Sequence, residues 1–197
     1  LAAAQNSSAG KFRCYQCLAI MDLRLARNHV GVDILKAIRG VHEDLPGMPV
    51  GHQMPCGFCG RSGISACAQL YLTTSKAPQA RSDCPHFYAF QYKNSLKSTL
   101  TMPCTNTPVV CPVLGCAQHT GKLVSAVWKY NMPQHVRTCH PGYSLDGFED
   151  GTVLPDLLRV MDISRDEEKA LGIPEQLIPT LRYSEYISTS EYSPGIH

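Results

Sequence analysis

Pro55-Cys56-Gly57-Phe58-Cys59-Gly60 is the stretch that decides how this chain is held together. Two thiols separated by two residues in a tight turn aim at one point. Gly60 lets the backbone behind them bend its N–H groups toward the sulfurs. Converging thiolates are half of a tetrahedral zinc site, and Cys67, Cys84 and Cys104 compete for the remaining two places. The pattern recurs on both sides. Upstream, Cys14-Tyr-Gln-Cys17 precedes His29 and Asp33; downstream, Cys111-x4-Cys116 precedes His135 and His140. Three ligand sets spread over residues 14–140 predict three Zn2+ ions and an array of small metal-held modules.

Composition agrees with that reading. Of 197 residues 44% are hydrophobic, yet 14 Pro and 15 Gly interrupt every long apolar pattern. Modules of roughly 30 to 60 residues bury too little surface to fold unaided and need a metal or disulfides. The ten cysteines would suit either staple. Metal is favoured by Cys-x-x-Cys paired with downstream histidine and by the lack of an apolar secretion segment at the N-terminus; a secreted disulfide framework is the alternative. No apolar run approaches the roughly 20 residues that span a bilayer, so no membrane partner is expected.

The net charge of +2 conceals a split. Residues 1–144 carry 14 Lys/Arg against 5 Asp/Glu, and residues 145–197 carry 4 against 11. A cationic body points to a polyanionic partner, most simply nucleic acid. The anionic end could fold back on the basic face as a competitor, or meet a protein partner.

From end to end the pattern predicts five segments. Residues 1–10 are a small, polar, disordered lead-in. Residues 11–45 hold a helix over residues 22–39, with Leu23, Ala26, Val30, Ile34 and Ile38 at helical spacing, Asp22 as N-cap and Gly40 as stop. His29 and Asp33 share a face of that helix, and His42 is a fallback ligand. Residues 46–108 form a knuckle and β-hairpin module. A turn at residues 75–78 sets Cys67 opposite Cys84, and an aromatic run from Phe87 to Tyr92 reads as a strand supplying the small core. In residues 109–144, Asn131 caps a helix bearing Met132, Pro133 and the two histidines; Cys139 rivals His140, and Trp128 is expected in the finger's own core. Residues 145–197 are an acidic tail with a short helix near residues 154–161. A capping box, Ser164-Arg-Asp-Glu167, opens another helix that Gly172 ends, and residues 183–192 give no structural signal.

The first and last ligand sets each resemble a C2H2 zinc finger, the first with Asp33 as its final ligand and the last with an enlarged loop. The fold class expected is therefore small zinc-stabilised α+β modules in tandem: C2H2-like finger, knuckle/β-hairpin module, C2H2-like finger, and a short-helix acidic tail. Pro-Cys-Gly-Phe-Cys-Gly, Cys-Thr-Asn-Thr-Pro-Val-Val-Cys-Pro and Val-Trp-Lys-Tyr-Asn-Met-Pro-x-His together resemble a family of zinc-finger proteins abundant in mushroom-forming fungi, as does the His-Val-Gly-x-x-Ile-Leu of the first helix. The resemblance covers about residues 14–175. It implies nuclear or transposon-associated factors and offers no established activity to carry over. Those relatives tend to have His where this chain has Asp33.

Functionally, the residues point first to zinc-dependent nucleic-acid binding in the nucleus, DNA before RNA. Lys11, Arg13, Arg24, Arg27 and Lys36 are the candidate contacts. A zinc-stabilised protein-interaction scaffold, such as a chromatin or ubiquitin-pathway adaptor, is the alternative. Cys56-x2-Cys59-x24-Cys84-x-His86 imitates the first half of a RING, but the next cysteine is as distant as Cys104. Catalysis is not expected: a zinc deaminase needs His-x-Glu upstream of its cysteines, and no His-x-Glu or His-Glu-x-x-His occurs.

Overall fold

The computed structural model describes residues 10–143 and 155–180; the lead-in of residues 1–9 and the closing segment 183–192 lie outside the described residues. β1 (Lys11–Arg13) and β2 (Ile20–Asp22) make an antiparallel hairpin with Phe12 opposite Met21, and its turn carries Cys14 and Cys17. β2 runs straight into α1 (Leu23–Ile38). The Asp22 carboxylate caps the helix by accepting the Arg24 N–H at 2.9 Å, and Gly40 leaves it at φ +70°, as the spacing predicts. Ala26, Val30 and Ile34 are buried as expected, whereas Leu35 takes the place of Ile38, which stays exposed.

The predicted hairpin is present as β3 (Leu70–Thr73) and β4 (Ala80–Ser82), with Leu70 opposite Ser82. α2 (Ser65–Ala68) precedes it, so Cys67 and Cys84 flank its open end. The other edge of β3 pairs with a distant strand. β6 (His119–Thr120) and β7 (Leu123–Ser125) complete a four-stranded antiparallel sheet in the order β4-β3-β7-β6. β5 (Pro108–Val109) pairs separately with β8 (Val127–Trp128).

The aromatic run is not a strand. Phe87, Tyr88 and Phe90 lie in a loop before α3 (Tyr92–Ser95) and converge on one ring, Phe58, at centroid distances of 5.3, 6.0 and 6.4 Å. Surrounding one central ring suits a curved loop better than the alternation of a strand.

The first two expected modules do not keep separate cores. One apolar cluster runs from Phe12 through Val30, Ile34, Phe58, Leu70 and Trp128 to Leu171, Ile173 and Ile178. Each module alone encloses too little volume, and pooling their apolar faces is the available remedy. Trp128, expected in the last finger, instead meets Phe58 edge-on at 4.9 Å. The last finger's core is a second cluster, in which Met132 and Val136 of α4 (Met132–Cys139) join Val113. Leu157, Leu158 and Met161 of α5 (Pro155–Met161) close it from the acidic tail. Asn131 stands at the α4 N-cap position, but its amide donates to the Pro55 carbonyl at 2.9 Å, so it ties the finger to the knuckle.

Residues 155–180 of the tail are built into the fold. α6 (Arg165–Ala170) starts at Ser164, whose Oγ accepts the Glu167 N–H at 3.1 Å. The Glu167 carboxylate does not complete the capping box. It accepts the Thr105 N–H at 2.7 Å, the Thr105 hydroxyl at 2.8 Å and the Tyr130 hydroxyl. Beside it Glu168 accepts two hydrogen bonds from the Arg39 guanidinium, at 3.0 and 2.8 Å.

Candidate metal centres

Each ligand set sits where a hairpin turn or strand end faces a helix or a second turn. In the first centre the β1–β2 turn presents Cys14 and Cys17 to His29 on α1, and the three ligand atoms lie within 4.8 Å of one another. Cys17 Sγ stands 3.3 Å from His29 Nε2. Asp33, one helical turn beyond His29, places Oδ2 3.5 Å from both Cys14 Sγ and His29 Nε2. Asp33 is not within 4.8 Å of all three, so the mutual group is the Cys-Cys-His triplet with the carboxylate against two of its corners. Burial raises the Asp33 pKa, partly opposed by His29, and burial pushes the Cys14 thiol up to about 12. His42 is exposed and belongs to no group.

The second centre gathers Cys56, Cys59, Cys67 and Cys84. The knuckle supplies the first two, with the Phe58 N–H directed at Cys56 Sγ at 3.4 Å, and the hairpin ends supply the others. Cys59 Sγ and Cys67 Sγ are 3.7 Å apart. Unaided, four adjacent thiols cannot all ionise. Hydrogen bonds from Cys56 and then Cys84 hold Cys59 down to about 2, and a bond from Cys56 lowers Cys67. Cys56 is raised by its contacts with Cys59, Cys67 and Cys84; Cys84, although Cys56 lowers it, is raised on balance by Cys59 and by burial. A divalent cation at the centre would remove that competition, because it stabilises every thiolate at once.

Cys104, the fifth contender, lies elsewhere. It is 2% exposed, lies 3.7 Å from the Tyr130 hydroxyl oxygen and packs on Gly31, where a Cβ would meet its sulfur at 2.3 Å. A helix passing that close tolerates only glycine, and the thiol acts there as a small apolar group.

The third centre joins Cys111 and Cys116 with His135 and His140 of α4 and its C-cap. Cys116 Sγ is 3.2 Å from His135 Nε2, and Cys111 Sγ is 3.6 Å from His140 Nε2. Burial, then the His140 charge, lowers the His135 pKa and favours the neutral ring a metal requires. Cys139 is exposed and outside the group.

These separations can be set against the size of a tetrahedral metal site. Zn–S bonds near 2.3 Å and Zn–N bonds near 2.0 Å in a tetrahedron give S···S edges of about 3.8 Å and S···N edges of about 3.5 Å. Four of the edges, at 3.7, 3.3, 3.2 and 3.6 Å, lie near those values, and the ligand atoms of each group all lie within 4.8 Å of one another. Three clusters that could hold metal ions are therefore present among the described residues. No helix among those residues is long and apolar enough to cross a membrane. No protein-family model, curated protein or solved structure matches the chain.

The expected cationic face of α1 is largely neutralised. Arg27 is buried, bonding the Asn106 carbonyl at 2.9 Å, Asn28 Oδ1 at 2.8 Å and Ser95 at 3.2 Å, with its guanidinium over the Phe90 ring. Arg24 doubles back on Asp22, and Lys36 pairs with Glu43 at 2.6 Å. Of the five candidate contacts, only Lys11 and Arg13, on β1, stay exposed without an ion pair among the described residues. The buried Glu167–Thr105–Tyr130 network was not foreseen; three donors from two distant segments leave no local sequence signal.

Proposed function

We propose that this chain is a zinc-held, non-catalytic nucleic-acid-binding protein, acting in the nucleus on DNA before RNA. The cysteine and histidine cages suit three structural Zn2+ ions, with Asp33 as the fourth ligand of the first. Four protein ligands leave no coordination position for a reacting water. The zinc would supply the cross-links among segments that share these cores, and the chain's own residues would make the contacts.

The observation that carries the reading is the charge of the segment between the first helix and the tail. From residue 45 to 145 it has eight Lys/Arg and a single acid, Asp83. Six of the eight, Lys76, Arg81, Lys93, Lys97, Lys122 and Arg137, are exposed and in no ion pair among the described residues. Such a surface attracts phosphates and releases their counterions on binding. Gel-shift titrations with DNA and RNA at two salt concentrations, with zinc content measured alongside, test it. Affinity that falls steeply with salt and three zinc ions per chain are expected. No affinity for either nucleic acid would leave the protein-interaction scaffold as the better account.

A further inference from the structure

Resting on that reading, we infer that the outer face of the four-stranded sheet is a platform for single-stranded nucleic acid, with Tyr71 as its stacking ring. Register defines the face. Residues directly opposite across paired strands point the same way, so Tyr71, Arg81 and Ser125 share one side of the sheet. Leu72, Ala80 and Val124 share the other, and these three form the apolar cluster beneath it. The outer residues Tyr71, Arg81 and Leu123 belong to none of the three clusters. Tyr71 is half-buried, and its hydroxyl donates to Gln69 Oε1 at 2.5 Å, two residues back on the same side.

Charge supplies the occupant. The two hairpin tips are fastened together, the Thr74 N–H donating to the Lys122 carbonyl at 2.9 Å, which brings Lys76 and Lys122 to one end of the sheet. Arg81 lies on the edge strand directly opposite Tyr71, and Lys93 lines a groove of about 410 Å3 along the same edge as Arg81. Four strands about 4.8 Å apart make a platform roughly 14 Å across with an aromatic ring on it and cations at its end and edge. A sequence-tolerant single strand is bound by that combination, bases on the ring and phosphates on the cations. A duplex keeps its bases stacked inside and offers the ring nothing. The helix that could have entered a groove has its cations buried or paired.

The test uses the full, zinc-loaded chain with fluorescein-labelled oligo-dT, oligo-U and a duplex of equal length. Both single strands should bind more tightly than the duplex, and their ratio separates a DNA from an RNA preference. Tyr71→Ala should weaken single-strand binding by about fivefold to a hundredfold, the worth of one stacked base. Tyr71→Phe should retain it, with zinc content and melting temperature unchanged in both. Lys76→Ala with Lys122→Ala should lower the slope of log K against log salt by about 1.4, two phosphates' worth for a single strand. These lysines sit in exposed turns, so that variant stays informative if Tyr71→Ala fails to fold. Preference for the duplex, or undiminished binding by folded Tyr71→Ala and by the lysine variant, would overturn the platform while leaving nucleic-acid binding standing. No binding to any of the three probes would overturn both.

Discussion

Replacing Glu167 by alanine should be among the most damaging changes outside the metal ligands. Its carboxylate is 1% exposed and accepts from three groups: the Thr105 N–H, the Thr105 hydroxyl and the Tyr130 hydroxyl. Tyr130 has a fallback acceptor in Cys104 Sγ at 3.7 Å; the two Thr105 donors have none in the structure. Two buried orphan donors cost about 1–3 kcal/mol each. Lys129, whose Nζ donates to Thr105 Oγ1 at 2.9 Å, loses the countercharge that acts on it most strongly, and burial already lowers its pKa. A total near 4 kcal/mol follows, a large fraction of the roughly 5–15 kcal/mol of a whole domain. With a urea slope near 2 kcal/mol/M, the midpoint of zinc-saturated protein should fall by about 2 M. Glu167→Gln keeps an acceptor and should lose about half as much. A loss under about 1 kcal/mol for Glu167→Ala, or equal losses for the two variants, would refute this account of the network.

Ending the chain at residue 144 removes Leu157, Leu158, Met161, Leu171, Ile173 and Ile178 from the two larger cores. At roughly 1.5–3 kcal/mol per buried side chain the loss rivals total stability, so circular dichroism should find the shortened protein largely unfolded. A folded truncation would mean that the tail is dispensable. Cys84→Ala should lower zinc from three ions to two per chain by metal analysis, whereas Cys104→Ala and Cys139→Ser should leave three, since neither joins a ligand group. Zinc should also bind more weakly as pH falls. Without metal, burial holds Cys14 near 12 and is the main cause holding Cys116 near 11, so the ion must displace a proton at each site. Competition against a chelator should show at least a tenfold loss of affinity per pH unit between pH 8 and 6, and pH-independent affinity would contradict it.

Local chemistry was legible in the sequence. Asp22, the apolar spacing and Gly40 delimited α1 almost to the residue, and the turn at residues 75–78 gave the β3–β4 hairpin with its flanking cysteines. Ser164 capped α6 as read. What stayed hidden was long-range. No local pattern says that β3 takes β7 as a second neighbour, or that Trp128 leaves its finger for Phe58. Arg27 misled for the same reason: on a helix wheel it is a surface cation, and only the arrival of Asn106, Ser95 and Phe90 buries it. Among the cysteines, spacing gathered the competitors for the second centre, but excluding Cys104 required the close pass of α1 at Gly31.

The pooled core has a consequence for how the protein is made. Phe12 and Ile178 belong to one apolar cluster, so nearly the whole described chain separates the first buried residue from the last. A ribosome delivers Cys14 and Cys17 long before Leu171 and Ile178 exist to cover their neighbours. During that interval the first two ligand sets can take up metal as short local loops, while the apolar surface they organise stays open to solvent and to other chains. Nascent protein should therefore depend on early zinc and on chaperones together, and metal starvation during synthesis should harm its yield more than the same starvation applied to the finished molecule.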